Sequence, residues 1–179
     1  MAPASDDYPT WDIAERVLGA WYRRARESQF AHYTAASRYS IRSRLLGVPS
    51  VVLSAAAGTA LFATLQKSSA SPDLRLAVGL VSVLAALLSA LQTFLGLGDL
   101  ADKHRSTASM YGAIRREIEE YQALPPRSPD AVHAALSTVR KRLDEVAASA
   151  PNVPRRAWEK AQGSIAHTER PEGFRQTAS

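Results

Sequence analysis

The sequence predicts an all-α membrane protein, in which a two-helix transmembrane hairpin continues into a cytoplasmic helical bundle with long N-terminal and C-terminal helices. Residues 45–65 and 76–97 form two apolar blocks of 21 and 22 residues that contain no Asp, Glu, Lys, Arg or His. A helix rises ~1.5 Å per residue, so each block spans ~30 Å, the thickness of a bilayer's hydrocarbon core. The polar connection, residues 66–75, is too short to cross the bilayer again. Both flanks therefore emerge on one side.

The charge of the flanks indicates which partners to expect. The chain carries a net charge of +5, which suits either a nucleic acid or anionic lipid headgroups. Arg38, Arg42 and Arg44 stand directly before the first apolar block, and this placement favours lipid. We therefore expect a lipid bilayer as partner and no nucleic acid. By the positive-inside rule both flanks face the cytoplasm.

The N-terminal part is predicted as a disordered leader over residues 1–10 and a cytoplasmic helix over residues 11–44, with Thr10 as the N-cap of that helix. Gly47 and Pro49 predict a bend or a new first turn where the chain enters the membrane. Apolar or small residues recur at roughly helical spacing in this helix, at Leu18, Trp21, Ala25, Tyr33 and Ala36.

Small and hydroxylated residues mark both predicted membrane helices. In the first, Ser54 and Gly58 form a small-xxx-small pair, which lets another helix approach closely. In the second, one face collects Ser82, Ser89, Thr93 and Gly96, with Gln92 near its edge. Two interpretations remain open for these residues. They pack helices together through close contacts and hydrogen bonds, or part of the face lines an oligomeric pore.

Two further helices are predicted after the hairpin, over residues 98–124 and 129–150. The first carries a heptad-like stripe of Leu100, His104, Thr107, Tyr111, Ile114, Ile118 and Tyr121. The second begins with Ser128 as cap and Pro129 at its first position. Its stripe is Val132, Leu136, Val139, Leu143 and Val146. The short turn between the two predicts antiparallel packing, and residues 155–179 are predicted as a short helix around Trp158 and a flexible tail.

No motif for catalysis, metal binding or a cofactor is evident. The four histidines are scattered and none has metal-ligand spacing, and the absence of cysteine removes thiol chemistry. We expect no catalytic residue, no metal and no cofactor. Six residues beside the membrane blocks are candidates for a juxtamembrane interface or for ligand sensing: His32, Tyr33, Arg38, His104, Arg105 and Tyr111.

Several strings in order resemble the SLATT family of bacterial two-transmembrane effector domains. They are HYTAASRY (residues 32–39), GVPSVVLS (47–54), LSALQTF (88–94) and ADKHRSTASMY (101–111). The resemblance extends to Pro154, and we expect a single domain over residues 11–154. It implies a membrane effector of antiphage or other conflict systems, which perforates or depolarises the host membrane. It also implies a separately encoded nucleotide-signalling partner or a cyclic-nucleotide-type trigger.

The leading hypothesis is a pore or channel formed by a homo-oligomer in the bacterial cell membrane, with both termini in the cytoplasm. Two membrane helices per chain cannot enclose a water path, so several copies must assemble. The alternative is a non-conducting membrane scaffold or sensor that recruits a partner through its helical bundle. A third hypothesis, a soluble basic bundle that binds nucleic acid, predicts extraction without detergent.

Overall fold

A computed structural model describes residues 11–66 and 71–168. Helices make up 92% of these residues and no strand occurs among them, which confirms the all-α class. The five helices are α1 (Trp11–Gln66), α2 (Pro72–Leu95), α3 (Leu97–Ala123), α4 (Pro129–Ser149) and α5 (Arg155–Thr168). The predicted leader, the helix cap predicted at Thr10, and residues 169–179 of the predicted tail lie outside the described residues.

Helix boundaries follow from local chemistry. Ser71 and Ser128 accept hydrogen bonds from the backbone N–H groups three residues on, at 3.4 and 3.3 Å, and each is followed by proline at the first helical position. Gly96 ends α2 in a left-handed conformation with φ 52°, which glycine adopts without a Cβ penalty. The chain then resumes as α3 at Leu97.

Helix α1 is continuous through Pro49, so the prediction of a new first turn near Gly47 and Pro49 is wrong. Proline has no N–H, and the carbonyl of Leu45 therefore lacks its usual helical donor. The helix continues because the flanking Val, Ser, Leu and Ala residues keep their own backbone bonds. Apolar surroundings also offer the chain no water as an alternative partner.

The described chain divides into two compact units. Residues 11–36 and 102–168 form the bundle unit, and residues 37–66 and 71–101 form the hairpin unit. Helices α1 and α3 each contribute to both.

The bundle unit has a core made by the predicted stripes of α3 and α4. Leu18 and Ala25 of α1 pack with residues of α3 and α4 in one buried cluster that contains Tyr111, Ile114, Ile118, Val139 and Val146. The stripe of α1 differs from the prediction, because Tyr33 is 44% exposed and His32 is buried. The inward-facing stripe passes from buried Ala25 through partly buried Ser28 to buried His32 and Ala35, at heptad spacing.

The hairpin unit contains two antiparallel helices whose surface is mainly apolar. Both are long and apolar enough to span a membrane, and only 11% and 6% of their most apolar stretches are buried. A core helix of a soluble fold would be covered, whereas these leave large side chains such as Phe94 (87% exposed) uncovered. Their length, apolar composition and exposure fit a membrane protein with two spans.

Candidate functional site

The two helices of the hairpin unit meet along a seam of small residues. Ser50, Ala57 and Ala85 are buried there, and the Ser50 hydroxyl donates to the carbonyl of Ala85 at 3.2 Å. Val78, Val81, Leu88 and Gln92 continue the seam on α2 with partial burial, at heptad spacing about Ala85. Small residues let the two backbones approach closely, which is how apolar helices associate in lipid.

The predicted hydroxylated residues of α2 lie beside this seam and do not belong to it. Ser82, Ser89 and Thr93 are all exposed. With about 100° of rotation per residue, the mean direction of these three side chains lies roughly 80° around the helix axis from the middle of the seam. Ser82 donates to the Val78 carbonyl at 2.8 Å and Thr93 to the Ser89 carbonyl at 3.1 Å. The hydroxyl protons of Ser82 and Thr93 are thus satisfied within α2, and their oxygens keep acceptor capacity toward the outside.

Ser54 and Gly58 of α1 lie on the same side of the hairpin. Both are exposed, and they are rotated from the α1 seam by a similar angle in the same sense. Because the helices run antiparallel, that sense of rotation leads to one common face. We call this surface, made by Ser54, Gly58, Ser82, Ser89 and Thr93, the hydroxyl face. Leucines occupy the opposite flank of α2.

Gln92 and Gly96 do not belong to the hydroxyl face. The Gln92 amide lies directly on Gly47 of α1, where a Cβ would stand 2.8 Å from its Nε2 atom. Gln92 also borders an open groove of about 390 Å³ with Arg44, Val48 and Val51. Gly96 is the C-cap of α2 and therefore ends the helix instead of continuing its face.

A histidine pair is buried in the bundle unit. The Nδ1 atoms of His32 and His104 are 2.9 Å apart, and the rings are 3% and 0% exposed. A hydrogen bond between two Nδ1 atoms requires one donor and one acceptor, so at least one ring is neutral. Tyr111 packs against His32 with ring centroids 5.8 Å apart.

Burial sets the protonation of this cluster. It lowers the pKa of His32 to about 4, assisted by the charge of His104 when that ring is protonated, and it also lowers the pKa of His104. Burial raises the pKa of Tyr111. All three side chains are therefore neutral near pH 7. Within residues 11–66 and 71–168 no group of three His, Asp or Glu comes together that could hold a metal ion.

Only three of the six predicted juxtamembrane residues form this cluster. Tyr33 faces outward, and Arg105 is exposed and pairs with Asp102 at 2.8 Å. Arg38 belongs to the hairpin unit.

A polar network in the bundle unit was not anticipated from the sequence. The Arg115 guanidinium donates to Gln29, Tyr22 and Glu119 at 3.0, 3.3 and 3.3 Å, and it lies over the Tyr22 ring. The Tyr22 hydroxyl donates to the Glu119 carboxylate at 3.0 Å. The spacing of Arg115 and Glu119 by four residues was the available signal, although it does not indicate contacts with α1.

The model of the SMODS and SLOG-associating 2TM effector domain family 4 (SLATT) matches residues 15–176. No curated protein and no solved structure matches the chain.

Proposed function

The chain belongs to the SMODS and SLOG-associating 2TM effector domain family, and we propose that its copies assemble into a pore or channel in the bacterial cell membrane. As an effector of an antiphage or other conflict system, it would act by ion flux or depolarisation. No enzymatic step is part of this proposal.

The hydroxyl face is the observation that carries the proposal. One chain offers two membrane helices, and these already contact each other along the Ser50–Ala85 seam. A water path therefore needs several copies. In such an assembly the leucine flank of α2 suits lipid, whereas Ser82, Ser89 and Thr93 offer oxygen acceptors to water or to a neighbouring copy.

Ion flux from liposomes that contain the purified protein tests the proposal. Ser82→Leu and Ser89→Leu replace hydroxyls with bulky apolar groups, which dewet a lumen. We expect each to lower flux about tenfold or more, with membrane insertion unchanged. Ala56→Leu is the matched control, because Ala56 is exposed on the other side of the hairpin unit.

Three results would contradict this function. Flux unchanged in both serine variants would mean that the hydroxyl face packs helices without lining water. Flux equally reduced in Ala56→Leu would point to a general effect of added bulk. No flux with any trigger, together with recovery of a partner through the bundle unit, would favour the non-conducting scaffold.

We place both termini in the cytoplasm. Three arginines precede the first span (Arg38, Arg42 and Arg44), and two basic residues follow the second (Lys103 and Arg105). The connection between the spans has only two basic residues, Lys67 and Arg75. The larger positive charge of the flanks favours cytoplasmic termini.

The natural absence of cysteine makes the topology directly testable. An impermeant maleimide should label Asp73→Cys in intact cells and Lys141→Cys only after lysis. The reverse pattern would place the termini outside.

We propose that nucleotide signalling activates the effector. The family is described by its association with SMODS and SLOG proteins, and the family resemblance connects these with nucleotide messengers. We therefore expect a separately encoded signalling partner, a nucleotide messenger, or both, to act on the effector.

A further inference from the structure

A cleft of about 370 Å³ opens on the bundle unit between α1, α3 and α4. Its volume falls within the roughly 300–1,000 Å³ typical of small-molecule sites. Six of its lining residues offer aromatic, cationic, hydroxyl or carboxylate groups: Trp21, Arg24, Ser28, Tyr111, Arg140 and Asp144.

Two arginines from different helices border this cleft. Arg24 of α1 and Arg140 of α4 are both exposed, and neither takes part in an ion pair with another described residue. By contrast, Arg115 and Arg142 of the same unit are paired with Glu119 and Glu117. Two guanidinium groups without carboxylate partners at one opening suit an anion, and their planar geometry suits the oxygens of a phosphate in particular.

An indole ring stands beside the arginines. Trp21 is partly buried and lines both this cleft and an adjoining one of about 250 Å³, and Arg140 borders both as well. The two clefts are thus neighbours that share Trp21 and Arg140, and we refer to them together as the groove. A nucleobase that stacks on an aromatic side chain gains about 1–3 kcal/mol.

The remaining groups suit a sugar or a base edge. Asp144 is exposed at the cleft, and its carboxylate is an acceptor for ribose hydroxyls, a role that acidic residues have in dinucleotide-binding folds. Tyr111 and Ser28 also line the cleft, and their side chains interact with each other.

We infer that this groove binds a nucleotide, with its phosphate between Arg24 and Arg140, its base on Trp21 and a sugar hydroxyl on Asp144. The inference that a messenger acts at this groove rests on the proposed function, whereas the inference that the groove binds a nucleotide does not.

The test uses the full chain in lipid nanodiscs and isothermal titration with AMP, GMP, cyclic AMP, adenosine and inorganic phosphate. We expect at least one nucleotide to bind about tenfold or more tightly than adenosine or phosphate alone, because only a nucleotide engages the arginines and the indole together.

Variants separate the groove from the rest of the surface. Arg24→Gln and Arg140→Gln alter exposed side chains, and we expect each to weaken binding about tenfold. Trp21→Leu should weaken it similarly and Trp21→Phe should restore most of it. Arg16→Gln is the matched control, since Arg16 is an exposed arginine of α1 that does not line the cleft.

The inference is overturned if none of the three nucleotides binds, if phosphate binds as tightly as the nucleotides, or if Arg16→Gln weakens binding as much as Arg140→Gln. Flux measured on the same protein preparation reconstituted in liposomes distinguishes this failure from failure of the pore. Nucleotide binding without flux contradicts only the pore, and flux without nucleotide binding contradicts only the groove.

Discussion

The buried pair of His32 and His104 makes the stability of the bundle unit depend on pH. On folding, burial moves the pKa of His32 from 6.5 to about 4. Above pH 6.5 the ring is neutral in both states, so the stability is fully present. As the pH falls below 6.5 the unfolded chain takes up the proton first, and folding stability is lost until the pH reaches about 4.

The size of this loss follows from the pKa values. Each pH unit between 6.5 and 4 costs about 1.4 kcal/mol of unfolding free energy, so His32 alone accounts for about 2 kcal/mol between pH 7 and pH 5. His104 adds to this in the same direction, because its pKa is lowered too. For a unit of this size we expect the melting temperature to fall by about 8 °C.

Intrinsic fluorescence reports this transition selectively, since all three tryptophans of the chain, Trp11, Trp21 and Trp158, lie in the bundle unit. Melting curves of the purified protein in detergent between pH 7.5 and pH 5 give the profile.

Two substitutions then separate the pair from other titrating groups. His104→Leu leaves the His32 nitrogen buried without its partner, which costs about 1–3 kcal/mol at pH 7. The double change of both rings to leucine should recover much of that loss and flatten the profile. A wild-type melting temperature that stays constant from pH 7 to pH 5 would refute the reasoning. A double variant that keeps the wild-type slope would refute it as well.

Three further sets of substitutions test single contacts by melting, followed by tryptophan fluorescence for the bundle unit and by far-UV circular dichroism for the hairpin unit. Gly163→Ala, with open space around it, should raise stability by up to about 1 kcal/mol. Gly112→Ala should lack this gain, because its Cβ would stand 2.7 Å from the Gln29 amide and that side chain must move; equal effects would contradict the packing. Gly47→Ala should destabilise the hairpin because Gln92 occupies the space, and adding Gln92→Ala should reverse this; no reversal would count against the contact. Ser128→Ala should cost about 1 kcal/mol as a lost N-cap and Ser128→Asp should cost little, so equal losses would show that the cap is unimportant.

The fold was predicted from segments in which apolar residues are clearly separated from polar and charged ones along the sequence. The hairpin was identified from charge-free length, and the cores of α3 and α4 from Ile, Val and Leu at heptad spacing, all of which the structure contains. The stripe of α1 was partly missed because it passes through Ser28, which is partly buried, and His32, which is buried, and polar residues are not expected on an inward face. Proline at position 49 predicted an interruption that apolar surroundings do not enforce.

The candidate sites could not be predicted from the sequence, because they depend on tertiary contacts between helices. Which flank of α2 meets α1 depends on helix rotation, and the Ser50–Ala85 contact that sets it has no sequence signature. Arg24 and Arg140 stand 116 positions apart in the chain, so no local pattern brings them to one cleft. The four histidines are scattered along the sequence, and only the structure shows that His32 and His104 are hydrogen-bonded to each other.

The glycines give a further argument for assembly. Glycine costs about 1 kcal/mol relative to alanine in a helix interior, and Gly47 and Gly112 have a reason within the chain, because glutamine side chains fill the space beside them. Gly58 and Gly79 have nothing within 4 Å of a would-be Cβ. No described contact within the chain uses their small size, yet in lipid small residues are what lets a neighbouring helix approach closely. Gly58 lies on the hydroxyl face and Gly79 directly beside it, so the unused space coincides with the surface proposed to meet another copy.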